Sequence, residues 1–253
     1  MHAEVEQARR RGRLKTALTV LVAVVLTPLT IWLGTKVPGN GYYLSGTLIV
    51  AYSIVPFLVS FEGRRPQARE LAVLAVMAAL AVASRAVFIW VPHFKPMAAI
   101  VMVAGMAFGP QAGFLVGTVS VLASNFIFGQ GPWTPWQMLA FGVAGLIGGA
   151  LTGTGLFPRQ GLSWPRRVAL AAVGFLTILC VSGPILDTST LFTMMAFLTP
   201  GSAVAIYLAG APINAIHGSA VALTLLLVAN PLLDQLARVR DKYGVLAGGG
   251  GKG

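Results

Sequence analysis

The chain has 253 residues, 56% of them apolar and only 10% charged, where a soluble globular domain carries roughly 45 to 50% apolar and about 25% charged residues. That charge deficit excludes a soluble enzyme, and at about 20 residues per bilayer crossing the length leaves no room for a large soluble domain. The formal net charge of +11 would suggest nucleic acid only if the basic residues shared one solvated face. They lie instead in clusters between apolar runs, so no nucleic-acid partner is expected.

A basic tail, residues 1–13, precedes the first apolar run, Leu14 to Gly34, and a second run covers Tyr42 to Phe61. Residues 14–62 therefore read as two transmembrane helices. A basic stretch before an apolar run also fits a signal peptide, but this run is long and no small-x-small cleavage site follows before Lys36, so a retained helix is expected. The third run is Ala68 to Val91. The long apolar stretch Met97 to Phe128 is split at Gly109-Pro110 into a fourth and a fifth, followed by Trp136 to Gly155, Val168 to Leu186 and Ser202 to Ala229. Residues 230–253 read as a C-terminal tail whose glycine-rich end lacks the spacing of a phosphate loop.

The split decides the topology. With a reversal at Gly109-Pro110, the basic clusters at Arg9 to Lys15, Arg64/Arg65/Arg69, Arg159/Arg166/Arg167 and Arg238/Arg240/Lys242 all fall on the cytoplasmic side. Without it, the last two would lie outside. The expectation is eight spans with both termini cytoplasmic. Its cost is a fourth segment of only about 20 Å against a hydrocarbon core of about 30 Å, so that helix must be packed inside the bundle or thin the membrane.

The seven acidic residues leave no carboxylate at mid-membrane; six adjoin the basic clusters, and Asp187 alone is expected at an outer helix end. Ion-coupled carriers usually need buried carboxylates. No acid–base pair is visible, and His2, His93 and His217 lack metal-ligand spacing, so neither a metal nor an enzyme activity is expected. A serine and a histidine brought together, as in an intramembrane protease, would need Ser182, Ser202 or Ser219 with His217. The lone Cys180 forms no internal disulfide.

Polar and aromatic side chains gather at the outer ends of segments three to eight. Arg85 lies seven residues before Pro92; it either snorkels to the outer interface, clamps an anionic or carbonyl group of a ligand, or pairs with Asp187. His93 and Lys95 lie between Pro92 and Pro96, held at the mouth of the bundle or simply solvated. The uncharged run Ser124 to Gln137 contains Asn125, Gln130, Trp133, Trp136 and Gln137. Interface anchoring accounts for the tryptophans but not for the amides, which beside aromatic faces suit a flat, neutral heterocycle with hydrogen-bonding edges. Asn214 and His217, three residues apart after Pro212, share a helix face and either glue helices or touch ligand. Small residues recur at four-residue spacing in Ala75/Ala79/Ala83, Gly105/Gly109/Gly113/Gly117 and Gly145/Gly149/Gly153; such seams admit close backbone approach, and the alanine seam could also dock a partner.

At these residues the sequence resembles the substrate-binding S components of energy-coupling factor (ECF) vitamin transporters, over Ala68 to Ala229. The resemblance rests on Arg69-Glu70-Leu71-Ala72 with the alanine-rich helix and Arg85, on Pro92 to Pro96, on Ala104 to Gly113, on Asn125 to Gln137, and on Pro212-Ile213-Asn214. It implies a six-helix membrane domain, residues 68–229, that captures a micronutrient from outside a prokaryotic cytoplasmic membrane. It also implies a transmembrane coupling subunit, docked through Ala75, Ala79 and Ala83, and two ATPase subunits that drive release inward, with no cofactor held by this chain. The two helices before Ala68 are additional to the family's six. The Phe128 to Gln137 run looks most like branches associated with cobalamin or its precursors, with riboflavin-like vitamins behind them. The competing expectations are a stand-alone carrier or facilitator and, less favoured, a membrane enzyme.

Overall fold

In a computed structural model, the structure describes residues 17, 21–34, 36, 37, 41, 45, 46, 48, 49, 52, 68–131, 133–194 and 199–243. Among these the chain is helical and holds no strand. A π-helical stretch Leu21–Leu26 leads into α1, Thr27–Gly34. Most of the expected second span and the Arg64/Arg65 cluster lie outside the described residues. Then follow α2 (Ala68–Val87), α3 (Met97–Phe108), α4 (Pro110–Phe128) and α5 (Thr134–Gly153). The seventh predicted segment is one rod, α6 (Trp164–Thr177), a π-helical stretch (Ile178–Ser182) and α7 (Gly183–Met194). Last comes α8, Pro200–Tyr243.

Five helical stretches are long and apolar enough to cross a bilayer: Ala68–Val87, Pro110–Phe128, Thr134–Gly153, Trp164–Leu191 and Pro200–Lys242. Prolines at the first turns of α4, α5, α6 and α8 fit the helix start, where the missing N–H would have had no intrahelical partner.

The reversal at Gly109 is real. This residue has φ of 100°, a conformation open to glycine and strained for other residues, and it lets α4 start immediately where α3 stops. The short α3 is packed inside the bundle: all twelve of its residues are buried. Its neighbours are α2, α4, α5 and α8. Gly105 of α3, Gly113 of α4 and Gly145 of α5 meet backbone to backbone, and a Cβ on any of them would collide with another's main chain. The predicted glycine seams thus close the centre of the bundle, where small residues let helices approach without side chains between them.

Two expectations about helix ends are corrected. Asp187 does not end a helix; α7 continues about two turns beyond it to Met194. The last helix does not stop at Ala229, and residues 230–243, expected in a tail, extend it through Pro231. That extension is tied down: Leu162 N–H donates to Asn230 Oδ1 at 2.6 Å and Gly161 N–H to Asp234 Oδ1 at 3.0 Å, so the α5–α6 loop caps against α8.

Among the described residues, the N-terminal part meets the bundle around Trp136. Ile49 and Trp136, both fully buried, form a cluster with Leu139, against which Ile31, Tyr52, Val143 and Ile185 pack. The additional segment therefore covers a face made by α5 and α7.

Candidate binding site at the upper end of the bundle

Helices α2 and α4 finish, and α3 and α5 begin, at the same end of the bundle, the upper end. Residues 88–96 and 129–133 connect them there. Most of the predicted site residues come together at or below this end, in two groups and one hydrogen-bonded pair.

The first group is built around Arg85. Its Nη1 donates to Ser124 Oγ at 2.6 Å and to Asn125 Oδ1 at 2.9 Å, and its guanidinium lies 4.6 Å from the centre of the Phe128 ring. Arginine stacked on an aromatic face while bonded in its plane is a favoured arrangement. Arg85 therefore turns into the bundle rather than snorkelling outward. The proposed pairing with Asp187 is also corrected: Ser124 and Asn125 on the adjoining α4 take the Nη1 bonds, and among the described residues no ion pair joins Arg85 to Asp187. Asn125 passes the connection on, its Nδ2 donating to Thr134 Oγ1 at 3.0 Å and Gln137 Oε1 at 2.8 Å. Thr134 Oγ1 in turn donates to Gln130 Oε1 at 2.9 Å, while Gln130 Nε2 holds the Leu122 carbonyl. Side chains from α2, α4, α5 and the loop are thus locked into one polar network.

Neither Ser124 nor Thr134 stood among the residues picked out by sequence. The signal was present: a membrane-embedded arginine needs acceptors, and Ser124, Asn125 and Phe128 fall on one face of α4 at helical spacing.

The second group consists of His93, Lys95 and His217. His93 is exposed, with φ of 60°, uncommon for a residue other than glycine. Lys95 is half-buried; burial, with the Arg85 charge adding to it, holds its ammonium below the usual lysine range. The Lys95 backbone lies close to the His217 ring, which packs against Phe141 with centroids 5.8 Å apart. His217 Nε2 is buried and makes no hydrogen bond.

The half-buried Asp187 and the buried Asn214 form the pair, joined by Asn214 Nδ2 donating at 2.8 Å. Asn214 therefore faces α7, and His217, one turn further on, faces Phe141 and the Lys95 loop. A second link, 2.7 Å between Thr188 Oγ1 and the Tyr207 hydroxyl, fastens the same two helices.

The tryptophans part company. Trp133 remains 42% exposed, folded over Gly131 at the mouth, whereas Trp136 is wholly buried under the N-terminal segment. Interface anchoring therefore does not describe Trp136. On α2, Ala75, Ala79 and Ala83 are all exposed, on a helix whose buried side is Leu74, Met77, Ala78 and Ala81. Among the described residues no cluster of histidine, cysteine or acidic side chains has the form of a metal site.

One comparison decides the family. The family described as ECF-type riboflavin transporter, S component, matches residues 66–238, which contain the whole upper-end network. The chain belongs to this family. Neither a curated protein nor a solved structure matches it significantly. As an S component, it is a multi-pass membrane protein of a transport system. Residues 1–65 lie outside the matched region.

Proposed function

We propose that this chain is the substrate-binding subunit of an ATP-driven ECF importer, with the upper end facing outward and both termini cytoplasmic. The distribution of Lys and Arg supports that orientation. The observation that carries the reading is the Arg85–Ser124–Asn125–Gln137–Thr134–Gln130 network. It is a fixed polar wall bordered by Phe128 and the exposed Trp133. Aromatic faces beside oriented amides suit a flat heterocycle read along its edges. The family's description makes riboflavin the first compound to test; the Phe128 to Gln137 run makes cobalamin-related compounds the second.

The exposed alanine face of α2 is the docking surface for a transmembrane coupling subunit, and two ATPase subunits supply the energy. This division of labour makes the chain a binder and not a catalyst. Mass spectrometry of small molecules that co-purify with the full chain, followed by ATP-free binding titrations with riboflavin and cobalamin, tests the assignment. Saturable binding of either supports it. Uptake by vesicles containing this chain alone would instead identify a self-sufficient facilitator.

A further inference from the structure

The first turns of α5 carry the polar network on one side and a different contact on the other. At about 100° of rotation per residue, Thr134 and Gln137, which accept from Asn125, fall on one face, while Trp136, Leu139 and Val143 fall on the opposite one. The N-terminal segment covers that opposite face. Ile49 and Trp136, neither exposed at all, share a cluster with Leu139, and Ile31, Tyr52 and Val143 pack around it. Contact reaches the very start of the helix: a Cβ on Gly46 would lie 3.4 Å from Trp136 Nε1 and 3.9 Å from Pro135 Cγ.

This helix start needs support from outside. Its N-cap residue, Trp133, makes no side-chain cap, so the side-chain hydrogen bond that commonly fixes a first turn is missing there. The N-terminal segment is stiff enough to supply the support, because it is itself tied to α1. Ser45 Oγ donates to the Gly41 carbonyl at 2.8 Å and lies 3.3 Å from that of Thr30, and the Tyr52 hydroxyl donates to the Leu26 carbonyl at 3.2 Å. The two stretches also approach closely, since a Cβ on Gly34 would strike Ser45 Oγ.

We infer that the N-terminal segment braces the binding site: Ile49, packed on Trp136 behind α5, is a positioning residue that keeps Thr134 and Gln137 in register with Asn125 on the other side of the same helix. The inference rests on the network being the substrate site, as proposed above. All of the brace precedes residue 66, where the family match begins, so it lies outside the matched region. A site ordered before its ligand arrives spends less of the interaction energy on ordering itself.

The test uses the full chain, freed of co-purified ligand, in nanodiscs of neutral phosphatidylcholine, with riboflavin as the probe and at a temperature well below every unfolding midpoint. Ile49→Ala should weaken riboflavin binding about tenfold, the factor that goes with loosening a buried hydrogen bond. Ile49→Val, which removes one methyl group, should lie between that variant and the wild type. Leu170→Ala truncates an equally buried side chain in the lower part of α6; it should lower the midpoint and leave the affinity unchanged. Hydrogen exchange without ligand gives a second reading: Ile49→Ala should speed exchange of the backbone amides of residues 137–143 and not of those of α3. Equal affinity of wild type and Ile49→Ala, or an equal loss in Leu170→Ala, would overturn the brace while leaving the transporter reading intact. Failure of the wild type to bind riboflavin would remove riboflavin as the substrate and leave exchange to judge the brace by itself. Unchanged exchange across residues 137–143 overturns it whether or not riboflavin binds. If Ile49→Ala does not fold, the same two readings on Ile49→Val decide.

Discussion

Asp187 and Asn214 each lie against a glycine of the opposite helix: a Cβ at Gly210 of α8 would strike the Asp187 carboxylate, and one at Gly183 of α7 would strike the Asn214 amide. The two polar residues and the two glycines are four apart on their own helices, so the pair interlocks in reverse order, as antiparallel helices require. A single hydrogen bond of 2.8 Å closes the arrangement. The glycines leave room for the bond to form between helices in close contact.

Gly210→Ala should therefore separate α7 from α8 and lower the thermal unfolding midpoint, through a cost of about 1–3 kcal/mol of the kind seen for overpacked interiors. Gly201→Ala, at an open position near the start of α8, should have little effect. Comparable midpoints for both variants would show that the close approach is unimportant.

Asn125→Ala removes an acceptor for Arg85 and the donor shared by Thr134 and Gln137. The expected loss is at least about tenfold in substrate affinity, since unpairing buried polar groups costs about 1–3 kcal/mol. Isothermal titration reads it directly, and unchanged affinity would detach the network from the site.

The two tryptophans should separate stability from binding. Trp136→Ala empties a position enclosed by Ile49 and Leu139 and should cost about 3–5 kcal/mol of stability, as large aromatic truncations in cores do. Trp133→Ala, at the half-open mouth, should leave the unfolding midpoint nearly unchanged and weaken binding. The reverse pattern would reject this assignment of roles.

Large residues on the exposed alanine face give a third separation. Ala75→Trp and Ala79→Trp should abolish ATP-driven uptake with coupling subunit and ATPases present while preserving substrate binding, because both positions are exposed, apart from the buried side of α2. Loss of binding in both would place the docking surface elsewhere.

Lys95 sets a pH dependence. Its lowered proton affinity, due first to burial and then to Arg85, means that the ammonium is lost at lower pH than in an exposed lysine. Substrate binding that uses the charged Lys95 should weaken as pH rises through that depressed value, in a setting where Arg85, His93 and His217 are the other ionisable groups around it. Lys95→Arg keeps its charge and should extend tight binding to higher pH. Identical pH profiles for the two proteins would exclude Lys95 as the titrating group.

The Gly109 reversal and the burial of α3 were legible in the sequence because charge and length each admit few solutions: thirteen apolar residues cannot reach across a bilayer alone, and only the reversal gathers the basic clusters on one side. Arg85 and the Asn125 to Gln137 amides were legible because polar groups in an apolar run demand an explanation. Their partners were harder. Arg85 was weighed against Asp187 since opposite charges suggest a pair, yet the choice was made by which helix adjoins α2, and nearest-neighbour order is written in packing rather than in charge. Asp187 itself was misplaced because the turn residues after Leu186 resemble a helix end, whereas tertiary contact with α8 carries the helix on.

The brevity of α3 has a mechanical consequence. Twelve residues make a rod about 18 Å long, some 12 Å less than the hydrocarbon thickness of about 30 Å. If its lower end is level with the inner leaflet boundary, the start of α3 beneath Lys95 and Pro96 lies well below the outer surface. Cargo seated there has completed part of its passage before any nucleotide is hydrolysed, and the distance left for the energised step is correspondingly shorter.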